Sequence, residues 1–226
     1  GEAFRYSGGG YLLVQALMEA VTGEAFADVM RSHVFAPLGM ARSYYTPLAP
    51  ALEDRAASGH DENGQPLPGG EPIHAESAAG GLWSTPADLA RLMIDLMRAY
   101  GGAEDALLSP ELVQAMLTPG FWNFGFGVRV LGAGENLRFN HGGATMGWPG
   151  QFIAYARRGQ GVAVLTNSAN GYLLWPEVER GVAQALGWPG WEPEIIEPAA
   201  WGGEKLASYS GTYLLHGVAE DRFALL

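Results

Sequence analysis

The chain has 226 residues, 48% of them hydrophobic, with 13 Lys and Arg against 24 Asp and Glu and a formal net charge of −11. A chain of this size can bury one core of roughly 200 residues, and an acidic surface without long charge runs argues against nucleic acid or an anionic membrane as partner. The lack of cysteine excludes disulfides, thiol nucleophiles and thiolate metal sites, and no stretch reaches the roughly 18 apolar residues of a membrane-spanning segment.

The opening 3-AFRYSGGGYLLVQALMEAVTG-23 places three glycines ahead of a helical pattern, with Tyr11, Val14, Leu17, Met18 and Val21 on one face and Gly23 where a left-handed cap is expected. A run of glycines is costly unless the backbone needs unusual dihedrals or a close approach. Phe26, Val29, Met30 and Val34 predict a second helix, which 36-APLGM-40 ends because Pro37 cannot continue the ladder. Residues 46–81 carry Pro, Gly and polar groups without a period and read as a long surface excursion. At 85-TPAD-88, Thr85 can cap, Pro86 suits a first turn and Asp88 completes a capping box for a helix that buries Leu89, Leu92, Met93, Leu96 and Met97. By the same logic 109-SPEL-112 begins a shorter helix, which ends at 118-TPG-120.

The period then falls from 3.6 to 2. Residues 124–130, 137–140, 151–156 and 162–167 read as strands, with 157-RRGQG-161 as a hairpin connection, and a last helix is expected from near Pro176 to Gly187. Helices followed by neighbouring strands predict an α/β chain of the α+β type, helices packed on a largely antiparallel sheet. After 190 the period is lost: 191–207 reads as a linker and 208–226 as the start of a further β-rich unit, opening at 209-YSGTYLL-215.

The residues able to carry chemistry are few. His141 ends a predicted strand and precedes Gly142 and Gly143, where a ligand can approach the backbone and the following amides can serve an oxyanion. A lone histidine is more often structural, and a glycine pair is more often a turn. His33, His60, His74 and His216 show no metal-type spacing, and no cofactor fingerprint is complete: the glycines at 8–10 lack both the lysine of a phosphate loop and a leading strand. Ser7 is a conceivable nucleophile without a nucleophile elbow; a helix cap is the plainer reading.

Taken together and in order, 4-FRYSGGGYLLVQALMEAVTGEAF-26, 35-FAPLGM-40, 79-AGGLWSTPADLARL-92, 141-HGGATMGW-148 and 162-VAVLTN-167 resemble the serine β-lactamase-related family over residues 3–190. That family includes class C β-lactamases, D-alanyl-D-alanine carboxypeptidases, D-aminopeptidases and esterases. The resemblance implies a β-lactamase/transpeptidase-like fold, here incomplete at its N-terminal side, and an acyl-enzyme mechanism without a cofactor. Of the three family motifs, Tyr6-Ser7-Gly8 matches Y-x-N with Gly for the commoner Asn, and His141-Gly142-Gly143 matches the strand motif. S-x-x-K has no counterpart, because the sole lysine is Lys205 and position 202 is Gly. The expectation is a C-terminal portion whose nucleophile and lysine come from a missing N-terminal segment.

On this resemblance Tyr6 shares proton transfer with the missing lysine, His141 lies across the cleft, and the Ala144 amide supplies half of an oxyanion hole. Gly8, Gly142 and Gly143 border the substrate, while Met146 and Trp148 line an acyl pocket or simply pack in the core. Gly8 lacks the amide that would hold an acylamide, and His141 replaces a permanent cation. Both favour a small-molecule or peptide substrate of ester or D-amino-acid type over efficient β-lactam hydrolysis. A non-catalytic module of the same fold, binding peptide or cell-wall fragments, is the alternative. The compartment stays open from the residues, and the resemblance points to periplasm or secretion.

Overall fold

The structure is a computed structural model and describes residues 4–45, 55–68, 77–192 and 203–211. Helix α1 (Gly8–Thr22) starts where the Ser7 hydroxyl accepts from the Gly10 amide at 3.1 Å, and it ends at Gly23, whose φ of 74° lets its amide reach the Glu19 carbonyl. The Glu19 carboxylate accepts from the Phe26 amide and so passes the chain to α2 (Phe26–Met30), which loosens into a π turn at Arg31–Phe35 before Pro37. The glycines at 8–10 take ordinary helical dihedrals and nothing crowds them, so no unusual backbone requires them. The apolar face of α1 is present, but no residue of the helix is buried: Tyr11, Leu13, Val14, Leu17 and Val21 are 45–77% exposed. An amphipathic helix normally buries that face.

Strand β1 (Tyr44–Tyr45) pairs antiparallel with β2 (Leu82–Trp83), and the short α3 (Ser77–Gly80) touches α1 where the Ala78 amide donates to Gln15. Helix α4 (Pro86–Tyr100) is capped as the sequence predicts, with Thr85 accepting from the Asp88 amide. Asp88 does not close a capping box. Its buried carboxylate accepts from the Arg42 amide at 2.8 Å, from the Ser43 hydroxyl at 3.0 Å and from the Arg91 guanidinium at 2.7 Å, tying the approach to β1 onto α4. Asp95, also buried, accepts from the Leu107 amide and fixes the turn into α5 (Pro110–Met116), which Ser109 caps.

A four-stranded antiparallel sheet follows in the order β3 (Arg129–Leu131), β4 (Arg138–Thr145), β5 (Trp148–Tyr155) and β6 (Gln160–Leu165). The first strand is shorter than predicted, because Gly127 at φ 79° folds the chain so that Phe124 bridges to Arg129. The second is longer: β4 runs through His141, Gly142, Gly143 and Ala144, so the glycine pair lies in a strand, and the turn is Met146–Gly147. Helix α6 (Gly171–Leu186) begins ahead of Pro176 and carries that proline inside it. Of the linker and extension expected at 191–226, only 191–192 and 203–211 are described, with a short helix α7 at Gly203–Ala207; residues 212–215 of the expected strand, like 46–54 and 69–76 of the excursion, lie outside the described residues.

The sheet buries both faces. Phe139, Ala154 and Val130 pack with Met93, Leu96 and Met97 of α4 and with Val113 and Leu117, whereas Ile153 and Tyr155 pack with Ala183 and Trp188 on the α6 side. On that second face Gln151 donates to the buried Glu179 carboxyl at 2.8 Å, and burial pushes this carboxyl above its usual range, against the pull of the hydrogen bond.

Two outcomes follow from this distribution of burial. Leu117→Ala should cost about 2–5 kcal/mol, whereas Leu13→Ala and Leu17→Ala should change stability by about 0.5 kcal/mol or less, read as shifts of urea midpoint at constant m-value. Glu179 holds its proton to higher pH folded than unfolded, so its contribution is complete below the unfolded carboxyl range and is lost as pH rises through the folded value. Glu179→Gln should therefore melt above wild type at pH 8 and level with it near pH 4; parallel melting curves across that range would contradict a carboxyl pushed up by burial.

Candidate active site

Tyr6 lies in the extended lead-in to α1, and His141 lies on β4. The structure brings them together across 135 positions, with the Tyr6 hydroxyl 3.4 Å from His141 Nε2. Tyr6 is held from the other side by aromatic packing: Phe124 sits 5.9 Å from its ring and stacks on Phe4 at 5.0 Å, with the Arg129 guanidinium over Phe124. Burial lowers the His141 pKa from 6.5, and a hydrogen bond to the Gly142 backbone partly offsets this, so the ring is neutral at pH 7. With its proton on Nδ1, such a ring offers Nε2 as acceptor to the phenol.

The register of the sheet fixes which backbone groups this site can use. Ala144 stands opposite Pro149, which has no N–H, and the Pro149 carbonyl accepts from the Thr166 amide on the far side. In an antiparallel ladder both polar groups of a residue point the same way, so the Ala144–Pro149 pair is a non-hydrogen-bonded one and the Ala144 amide points away from β5. By the same alternation Gly142 also points outward. Pairing with β3 stops at Asn140, so among the described residues no strand lies beside His141–Thr145 on that edge. Among the described residues no strand takes the Ala144 amide, which lies three positions along β4 from His141.

Directly opposed residues share a face, which puts His141 with Phe152, Gly143 with Gly150, and Thr145 with Trp148. A side chain at Gly143 would meet no atom within 4 Å, whereas one at Gly142 would reach the Gln151 amide oxygen at 3.1 Å on the α6 side. Gly142 therefore makes room for Gln151, and Gly143 leaves room in front of His141. Gly8 opens α1 and faces Ala79 at ordinary contact distance. Ser7 is engaged as the helix cap.

The two pocket candidates part company. Met146 stands exposed at the hairpin tip, whereas Trp148 is fixed: its indole donates to the Ala57 carbonyl at 2.9 Å, lies edge-on to Trp83, and covers Gly59, where a Cβ would come within 2.6 Å of the ring. Leu67 closes over Gly147, and the Asn167 carbonyl accepts from the His60 amide and lies 3.0 Å from His60 Nδ1, so residues 57–67 buttress the hairpin turn. Sequence reasoning missed Tyr11 and Phe124. The Tyr11 hydroxyl lies 3.1 Å from where a Cβ on Gly127 would sit, and partial desolvation of the phenol together with the nearby Tyr6 raises its pKa. Tyr11 reads as one member of the α1 stripe, and only its place five residues after Tyr6 on the same helix start could have drawn attention to it. Among the described residues no group of His, Asp and Glu could hold a metal, and no helix is long and apolar enough to cross a membrane. Among the described residues a groove of about 590 Å³ is lined by Pro37, Arg91, Asp95, Arg98 and Asp105 and by neither Tyr6 nor His141.

Comparison with known proteins bears on this arrangement. Among solved structures the chain is similar to the octameric penicillin-binding protein homologue from Pyrococcus abyssi, with 27% identity and a TM-score of 0.68 over 83% of this chain and 43% of that one. It is similar to SurE, with 26% identity and a TM-score of 0.70 over 89% and 49%. It is also similar to the D-amino acid amidase from Ochrobactrum anthropi SV3 complexed with L-phenylalanine amide, with 25% identity and a TM-score of 0.58 over 74% and 51%. The chain spans about half the length of these relatives. A search of curated proteins finds no match. The profile of the family described as Beta-lactamase matches residues 1–186, and by that match the chain belongs to the beta-lactamase family.

Proposed function

We propose that this chain carries the tyrosine and strand half of a serine hydrolase site that works through an acyl-enzyme on ester, amide or β-lactam-type substrates. Residues 1–190 are then the C-terminal portion of the hydrolase domain, with 191–207 a linker and 208–226 the start of an extension. The observation that carries this reading is the Tyr6 hydroxyl at 3.4 Å from His141 Nε2, on a strand whose edge at His141–Thr145 is paired by none of the described residues and receives the Ala144 amide. A phenol hydrogen-bonded to a neutral imidazole can accept and return a proton, and an edge amide can hold an oxyanion.

In this scheme a serine from an upstream S-x-x-K segment attacks the substrate carbonyl carbon. Its proton passes to the lysine–Tyr6 pair and the carbonyl oxygen, now an anion, accepts from the Ala144 amide. Collapse expels the alcohol or amine, which takes the proton from the same pair. Water then repeats the sequence on the acyl-enzyme, releasing the acid and restoring the serine. Gly8 in place of a side-chain amide and a neutral His141 in place of a fixed cation both weaken the grip on an acylamido β-lactam with its carboxylate. Esters and D-amino-acid amides or peptides are therefore the favoured class, a choice supported by the likeness to a D-amino acid amidase.

Three measurements test the reading. Co-expression with an upstream segment bearing S-x-x-K should give p-nitrophenyl ester hydrolysis that Tyr6→Phe lowers by about 10²–10⁴-fold, while the chain alone is not labelled at Ser7 by a fluorophosphonate. Labelling of Ser7, or hydrolysis indifferent to Tyr6→Phe, overturns it. The His141 imidazole should titrate below 6.5 by NMR, since burial disfavours its cation; a midpoint raised above the ordinary histidine value would contradict a neutral acceptor.

A further inference from the structure

The turn between α5 and β3 is not used by the scheme above. Phe121 and Trp122 are 60 and 61% exposed and Phe126 is 73% exposed, so large aromatic rings crowd one short turn in solvent. Trp122 at φ 56° and Asn123 at φ 62° are the only non-glycine residues with positive φ among the described residues. Such a conformation strains an L side chain, and a bulky ring held there without burial has no folding advantage to offset it.

The turn meets the candidate site within its length, where the Phe124 ring lies 5.9 Å from the Tyr6 ring, and at Gly127 a side chain would come within 3.1 Å of the Tyr11 hydroxyl. The exposed rings therefore flank a residue whose ring lies against Tyr6, on a segment that the Phe126 amide ties to the Met116 carbonyl. We propose that residues 121–126 form an aromatic rim that selects substrates bearing an aromatic side chain or acyl group, with Trp122 and Phe126 as specificity-determining residues. The proposal rests on the reading of Tyr6 and His141 as the site, and continuity with Tyr6 makes the occupant a substrate group. Stacking on rings already held open needs little further ordering, which favours flat, aromatic groups over small alkyl ones.

The test is a binding titration of the 226-residue chain, joined to an upstream S-x-x-K segment, with D-phenylalanine amide and D-alanine amide. The aromatic amide should bind at least about tenfold more tightly, and the double variant Trp122→Ala, Phe126→Ala should bring the two within about twofold. Trp122→Gly separates binding from folding: glycine accepts the positive φ, so this variant should melt no lower than wild type and still lose preference. Equal or absent binding of both amides by wild type, or a preference that survives the double variant, overturns the rim. So does a dimer in sedimentation velocity that the double variant dissociates, because the rings would then be a self-interface. If the aromatic preference holds while the co-expressed protein hydrolyses nothing, the rim stands and the hydrolase reading falls.

Discussion

Pro149 carries no amide hydrogen, and its carbonyl is taken by Thr166 on the next strand. That one residue settles the hydrogen-bond phase of β4 against β5, since a strand residue directs both of its polar groups to one side. With the phase set, Ala144 and Gly142 turn outward while His141 and Gly143 bond inward and present their side-chain positions to the Tyr6 face. A slip of one residue would turn the Ala144 amide into the ladder and move His141 to the α6 side. The hairpin turn at Met146–Gly147 guards against that slip, and the segment 57–67 holds the turn through Trp148 on Gly59 and Leu67 on Gly147.

The two halves of the site differ in how they are held. His141 belongs to a sheet buried on both faces, between the α4–α5 cluster and α6. Tyr6 precedes a helix with no buried residue, and its ring lies against Phe124, itself stacked on Phe4 and under Arg129, instead of in a core. The strand half is therefore rigid by packing, and the tyrosine half depends on a few ring contacts and on whatever covers the apolar face of α1. An exposed stripe of that extent and an open strand edge both favour association with further polypeptide.

Much of this could be read from the residues. Capping chemistry located α1, α4 and α5, since Ser7, Thr85 and Ser109 each accept the amide their spacing offers. The pairing of Tyr6 with His141 followed from motif order. Other features had no local signal. Asp88 is drawn from its capping role by the amide and hydroxyl of residues far away in sequence, and the glycine pair after His141 is strand because β5 supplies partners that composition cannot reveal. Phe124 was read as a strand residue, although the glycines after it fold the chain back and leave its ring against Tyr6. The bare face of α1 could not be foreseen from its period, which says where burial is needed and not whether it is met.

The central claim is that Tyr6, His141 and the outward Ala144 amide surround one reacting carbonyl. A structure of the chain joined to an upstream S-x-x-K segment and bound to a boronic acid tests it most directly. The account predicts a serine-bound boron with one oxygen about 2.7–3.1 Å from the Ala144 nitrogen and the Tyr6 hydroxyl within hydrogen-bond reach of the serine oxygen. A further strand paired along His141–Thr145, with the boronate bound elsewhere, would contradict it.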